Sequence, residues 1–323
     1  MGNTSDFSNL HHSLSSFNFI LWILYLIIIV VGIVGNFLVV CIVYRNKNMH
    51  TATNCILSNL AISDSMSLIF CPIPMAVELA HNLLKGFARQ LVCRVFAGNF
   101  LSQLSISASF TSLVFLATDR YYAMVRPFHT RYVISIENVR CAVGFIWLCS
   151  LLCCVPIIVF SKFDELSQRC VNPWTIEKAP FTKVYLTAIA ILFGVVFCLL
   201  CFCYAQILRG LYITKTVCSG RAATSAKKKL ASISIMVTLS FCICYAPFLF
   251  LHVYLAFKDA DTLNKNYQTL YMVNQTTRFI LYLSCSLNPI LYAFQSSRYR
   301  DNLRKILTRK KSSRVGVIYL KDL

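Results

Sequence analysis

An all-α bundle of membrane-spanning helices is the fold class this sequence predicts, on three observations. Its 323 residues are 57% hydrophobic and only 13% charged, too apolar for an ordinary water-soluble domain. Seven apolar stretches are each long enough to cross about 30 Å of hydrocarbon as an α-helix, which takes roughly 20 residues. None alternates with period two, which argues against a transmembrane barrel, and helices and closed barrels are the only backbones that satisfy their own polar groups in lipid.

Taken in order, the spans cover residues 19–44, 52–80, 96–124, 139–160, 184–208, 230–257 and 270–294. Lys and Arg mark one set of connections: Arg45 and Lys47, then Arg126, Arg131 and Arg140, then Arg209, Lys215, Arg221 and Lys227 to Lys229, then nine more after Phe294. The opposite loops are poorer in basic residues and carry Asp164, Glu165, Glu177, Asp259 and Asp261. The positive-inside rule therefore predicts an extracellular N-terminus and a cytoplasmic C-terminus. Because the basic residues flank spans, the net charge of +19 points to anionic membrane lipids and a cytoplasmic partner, not to nucleic acid.

The ends follow from composition. Residues 1–18 read as an extracellular tail and 19–294 as the bundle. The tail has no basic n-region, so the first span is expected to act as the insertion signal. Asn3-Thr4-Ser5 is a glycosylation acceptor on the outer side, with Asn3 as the site. Residues 295–309 read as a short amphipathic juxtamembrane helix on the inner leaflet, with Tyr299, Leu303, Ile306 and Leu307 on one face, followed by a basic tail over 310–323. Of the 16 cysteines, most lie inside spans, where a small residue lets helices pack closely. Cys93 and Cys170 fall on the oxidising side, so either a disulfide pins the loop after the fourth span across the bundle mouth or two free thiols stand there.

The motifs bring in a family. Gly35-Asn36 in the first span, Asn59 to Asp64 in the second, Asp119-Arg120-Tyr121 ending the third, Trp147 in the fourth, Phe241 to Pro247 in the sixth and Asn288-Pro289-Ile290-Leu291-Tyr292 in the seventh stand in order, one per span. Together they resemble the rhodopsin-like G-protein-coupled receptors. The resemblance implies a receptor that passes agonist binding to a heterotrimeric G-protein through outward motion of the sixth helix. Asp119 would satisfy Arg120 at rest, and Arg120 would later turn to Tyr204, Tyr292 and the G-protein. Tyr121 completes the motif, and Phe128 would fill a pocket on the partner. Pro247 and Pro289 each remove a helix hydrogen bond at a hinge position, and Phe241 and Tyr245 belong to the same switch. An arrestin contact through Ser296, Ser297, Thr308, Ser312 and Ser313 stays open.

Asp64 is a carboxylate within the second span. Ser109, Ser284, Asn288 and Asn36 fall at comparable depth, so the competing expectations are a hydrated cavity holding an allosteric Na⁺ and a protonated or water-bonded acid without an ion. No other cofactor is expected. The chain departs from the family pattern in four places. Tyr245 stands where a Trp is usual, Val196 where the fifth helix usually has proline, and Lys227 where some members hold an acid that locks the arginine. The interval from Cys93 to Arg120 is two residues longer than usual, which predicts an inserted turn or bulge.

Ser102 and Gln103 occupy the depth at which amine receptors carry an aspartate, and Tyr282 stands where opsins hold the retinal lysine. Both positions argue against those ligands. Arg278 lies ten residues before Asn288, about 15 Å along the seventh helix, near the outer mouth. Glu78, Tyr185, Phe248, His252 and Gln275 are expected around it. Arg278 either bridges to Glu78 or receives a ligand carboxylate or carbonyl.

A mouth of mixed charge suits a peptide, and the stretches around Ser105 to Ser109, Cys71 to Pro74 and Phe241 to Pro247 resemble neuropeptide receptors of the neuropeptide FF, orexin and galanin kind. The alternatives are a small-carboxylate or lipid ligand, or a non-signalling decoy. A transporter or channel is disfavoured by the lack of an inverted repeat. An enzyme is disfavoured because no nucleophile, base and orienting group converge.

Overall fold

The computed structural model describes residues 4–73, 85–97, 99–126, 134–165, 169–171, 180–213, 221–295 and 297–307. Seven long helices form the bundle: Thr4–Arg45, Ala52–Phe70, Phe100–Val125, Val139–Phe160, Pro180–Leu208, Arg221–Phe257 and Tyr267–Gln295. They are numbered here from first to seventh. An amphipathic helix, Ser297–Leu307, follows the seventh. Exposure is inverted relative to a soluble protein, with Phe19, Leu26, Phe37, Leu152, Val184, Val195, Ile243 and Phe250 all outside. Such a belt is stable only against hydrocarbon.

Five of the seven helices are long and apolar enough to be recognised as spans by length and hydropathy alone. Among the described residues the second and seventh are not, because they carry more polar side chains, and these are turned into the bundle. Asn59, Ser63, Asp64 and Ser67 are buried on the second, and Ser284, Ser286 and Asn288 on the seventh. Several of the hydroxyls are satisfied by their own helix: Ser63 Oγ donates to Asn59 O at 2.9 Å and Ser67 Oγ to Ser63 O at 3.0 Å. The third helix is the hub, packing on the second, fourth, fifth and sixth, while the first packs on the second and seventh. The main core runs through Ile42, Leu60, Leu113, Val237, Leu281 and Tyr292.

The structure adds detail at the ends of the helices and in the loops. The segment read as an N-terminal tail is helical from Thr4 onward, because extending an established helix costs little per residue; Asn3 lies outside the described residues. At 42 residues this helix is about 63 Å long, so its first turns stand clear of the bilayer. The sixth helix likewise begins earlier than its apolar run, at Arg221. The loop after the fourth helix carries a small antiparallel hairpin, Lys162–Asp164 paired with Arg169–Val171.

The fifth helix runs as regular α-helix past Val196 to Leu208, so the bulge placed in doubt by the absent proline does not occur there. At the disulfide end of the molecule, Asp259 accepts from Thr262 N at 2.8 Å and from Thr262 Oγ1 at 2.9 Å. These bonds cap the short helix Ala260–Lys265 and hold the Asp259 carboxyl below its ordinary range.

Candidate functional site

Three polar clusters lie along the third helix, one at each end and one in the middle. At the end away from the disulfide, Arg120 donates from Nη2 at 2.5 Å and from Nε at 3.2 Å to Asp119 Oδ2. Thr53 Oγ1 of the second helix donates to the same oxygen at 3.0 Å and accepts from Arg120 Nη2. Ile134 N donates to Asp119 Oδ1 at 3.4 Å. Asp119 is only 2% exposed, so its charge is offset by the guanidinium and by the Thr53 hydroxyl and Ile134 amide. The arginine is thus held to its own helix and to the second.

Tyr204 is engaged elsewhere. Its hydroxyl shares a 2.7 Å bond with Thr238 Oγ1 and donates to Ser234 O at 3.2 Å, tying the fifth helix to the sixth. Tyr292 is buried, with no hydrogen-bond partner for its hydroxyl among the described residues, and its ring lies 6.4 Å from that of Tyr299. Arg120, Tyr204 and Tyr292 therefore share no hydrogen bond in this state. Tyr121 packs on Tyr122 and Phe202. Phe128 lies outside the described residues, as do Ser296 and Thr308 onward, and so does the side chain of Lys227.

The middle cluster surrounds Asp64. Ser109 Oγ donates to Oδ1 at 2.7 Å and Asn288 Nδ2 to Oδ2 at 2.7 Å, joining the second, third and seventh helices through one carboxylate. Ser284 turns away and donates to Leu281 O at 2.7 Å. Asn36 donates to Cys285 O at 2.9 Å, pinning the first helix to the seventh next to its proline. Asn59 donates to Ser112 Oγ at 2.9 Å and accepts from Trp147 Nε1 at 3.0 Å, which links the second, third and fourth helices. Asp64 pairs with no basic group among the described residues, and the Oδ1 atoms of Asn36 and Asn288 lack partners there. One buried negative charge among hydroxyl and amide oxygens fits a monovalent cation.

The third cluster is at the disulfide end. Cys93 and Cys170 are bonded, with Cα atoms 5.6 Å apart. The hairpin is stitched to the short helix Gly86–Val92, since Gln90 and Phe163 exchange two hydrogen bonds at 3.1 and 3.2 Å. Arg89 lies 4.7 Å from the Phe163 ring centre and 3.5 Å from Glu165. The two-residue excess falls just beyond, on a π-helical segment, Cys93–Ala97, and on Asn99, whose φ of 60° is left-handed. Asparagine tolerates that conformation better than most residues. Its Oδ1 accepts from Arg278 Nη2 at 3.3 Å.

Residues expected around one mouth divide into two groups. Gln103, Tyr185, Phe248 and His252, with Tyr245, line a cavity of about 430 Å³ among the third to sixth helices. Ser102 and Tyr282 are instead buried together, sharing a 2.6 Å hydrogen bond that locks the third helix to the seventh. Arg278 sits on that second side with Tyr25 and Tyr282 beside it. Among the described residues no carboxylate pairs with it; Glu78 lies outside them, and Gln275 is half-buried less than one turn before it on the same helix.

Sequence reasoning missed Phe110, Thr111 and Phe193 on the cavity wall, as well as Asn99. The wall residues Gln103, Ile106, Ser107, Phe110, Thr111 and Val114 follow a helical period from Gln103 that could have found them. Phe110 stacks on Phe193 and on Phe241 at 5.5 Å each, and Tyr245 stacks on Phe241 at 5.7 Å. An aromatic column thus floors the cavity.

Comparison with known proteins places this geometry. A family profile described as 7 transmembrane receptor (rhodopsin family) matches residues 35–292. The chain is 28% identical over 302 residues to galanin receptor type 2 of Rattus norvegicus, covering 90% of this chain and 78% of the relative. It is 26% identical over 293 residues to somatostatin receptor type 1 of the same species, covering 88% and 70%. A crystal structure of squid rhodopsin superposes with a TM-score of 0.71 at 20% identity, covering 90% of this chain and 85% of that one. At that identity the likeness shows the fold alone.

Proposed function

The chain belongs to the rhodopsin family of seven-transmembrane receptors, and we propose that it is a plasma-membrane receptor for a peptide, coupled to a heterotrimeric G-protein. The observation that carries the peptide reading is that relatives aligned along nearly the whole chain are receptors named for the peptides galanin and somatostatin. In this reading the disulfide end faces outward and the Arg120 end faces the cytoplasm, which the distribution of Lys and Arg supports.

The peptide enters beneath the Cys170 hairpin, with an apolar side chain in the 430 Å³ cavity and a carbonyl or carboxylate on Arg278. Contact with Phe248, His252 and Tyr245 bears on the sixth helix next to Pro247. Rotation there pulls Thr238 and Ser234 from Tyr204. Each such bond contributes about 1 kcal/mol net, so differential ligand contacts of a few kcal/mol suffice to repopulate the two states. Freed from Asp119 and Thr53, Arg120 then meets Tyr204, Tyr292 and the G-protein. Asp64, with the oxygens of Ser109 and Asn288, would hold Na⁺ at rest, the ion supplying positive charge to a buried carboxylate; Ser284, bonded to Leu281 O, would have to rotate to join them.

The test is second-messenger output in cells expressing the chain or Arg120→Ala at equal surface density, challenged with neuropeptides and small carboxylates. A peptide response lost in the variant is expected. A second reading, a small-carboxylate or lipid ligand, is favoured by the lack of an acidic partner for Arg278 among the described residues; activation by carboxylates alone would establish it. Silence to both sets with the protein at the surface would favour a non-signalling decoy.

A further inference from the structure

The fourth and fifth helices touch at their disulfide ends and part below. Phe160 and Phe181 meet there with ring centres 4.2 Å apart, and the Tyr185 hydroxyl donates to Cys153 O at 2.8 Å. Few other contacts join the two helices among the described residues. The cavity that begins at Tyr185 and His252 continues into this gap, walled by Thr111, Val114, Phe145, Cys149, Leu192 and Val196.

The gap opens sideways, away from the bundle axis. Phe145 is 55% exposed and Leu192 48%, and the opening is continuous with the apolar belt of Leu148, Leu152, Val195 and Leu199. A Cβ added at Gly144 or at Gly194 would meet nothing within 4 Å, so neither helix is closely covered there. Phe145 lies eight residues below Cys153 on the fourth helix, about 12 Å, which sets the opening at hydrocarbon depth.

The wall's chemistry selects the occupant. Thr111 Oγ1 is already bonded to Ser107 O at 2.8 Å, and the remaining lining at this level is apolar apart from the Cys149 thiol. Water would lack the two to four polar partners it needs, and an empty cleft would forfeit dispersion contacts on its lining. A chain from the adjoining bilayer meets both conditions. We propose that the cleft among the third, fourth and fifth helices is a bilayer-accessible site for one lipid hydrocarbon chain, entering from the side. The inner end of that chain reaches Phe110 and Phe193, the floor of the same cavity whose upper part, at Tyr185, Phe248 and His252, is assigned to the receptor ligand.

The proposal is tested on the full chain reconstituted in phosphatidylcholine vesicles containing a photoactivatable, clickable acyl chain, with labelled positions mapped after irradiation. Labelling around Phe145 to Cys149 and Leu192 to Val196 is expected to be several-fold denser than around Val30 and Val34, which are 53% and 55% exposed on the first helix. Cys149→Phe, which fills the cleft, should bring labelling down to the first-helix level. Cys149→Ala, which widens it, should keep labelling high and guards against misfolding of the larger variant. Even labelling of all lipid-facing helices would overturn the site. Labelling there by a photoactivatable sterol but not by the acyl chain would overturn the occupant.

Discussion

Thr53 is the residue that decides how firmly Arg120 is held. Its hydroxyl donates to Asp119 and accepts from Arg120, so a side chain on the second helix closes a bond that the Asp119-Arg120 pair alone would leave within the third. Bonds to charged groups are worth about 1.5–3 kcal/mol. Thr53→Ala is therefore expected to raise ligand-free second-messenger output about tenfold or more at matched surface expression, given that about 1.4 kcal/mol is tenfold in population. Output no higher than wild type would show that Thr53 does not restrain the arginine.

Asp64 sets a second expectation at this scale. If its carboxylate holds Na⁺, raising Na⁺ should weaken agonist binding in wild type but not in Asp64→Asn. Equal sensitivity in the two proteins would leave Asp64 as a structural acid bonded by Ser109 and Asn288.

Packing between elements depends on a few small residues. A Cβ at Gly35 would lie 2.7 Å from Pro289 Cβ, and one at Gly32 would overlap Leu68 and Ser286, so the first helix approaches the second and seventh without room for a methyl. Gly32→Ala and Gly35→Ala should each destabilise the bundle by about 1–3 kcal/mol, as overpacking does. Gly144→Ala and Gly194→Ala, which meet open space, should be neutral or slightly stabilising because alanine is the better helix former. Thermal unfolding in detergent compares the four.

The disulfide is the other inter-element tie. Cys93→Ser frees the hairpin and the π-helical segment before Asn99, and loss of a native disulfide costs about 2–5 kcal/mol in small secreted domains. Ligand potency is expected to fall more than surface expression, because the hairpin closes the pocket while the long helices carry the core. Expression and potency falling in proportion would make the bond purely a folding element.

Across the whole molecule the third helix connects the pocket, the Asp64 cluster and the Arg120 cluster, and the aromatic column from Tyr245 through Phe241 and Phe110 lies between the first and the last. In the proposed function, a ligand at one end and a G-protein at the other stabilise one packing from opposite sides, and linkage then requires each to tighten the other equally. Removing the G-protein should lower agonist affinity by a factor within the roughly 5–150-fold range typical of such coupling and leave antagonist affinity unchanged. Competition binding on membranes with and without the G-protein decides this, and identical agonist affinities would separate the two sites energetically.

The sequence by itself determined the lipid-spanning helical bundle and the order of the family's motifs along it. Apolar run length, the side carrying Lys and Arg, and the order of short motifs are all local properties of the chain. It also located the disturbance before Asn99, since a two-residue excess must be absorbed somewhere. Only the tertiary structure decided which polar atoms meet. It gave Thr53 to Arg120 and turned Ser284 away from Asp64. It set Tyr282 against Ser102, and it divided the expected ligand residues between an apolar cavity and the Arg278 side. Those outcomes depend on helix rotation and tilt, which arise from side chains far apart in sequence packing simultaneously, and a one-dimensional pattern fixes which face of a helix is buried but not what it is buried against.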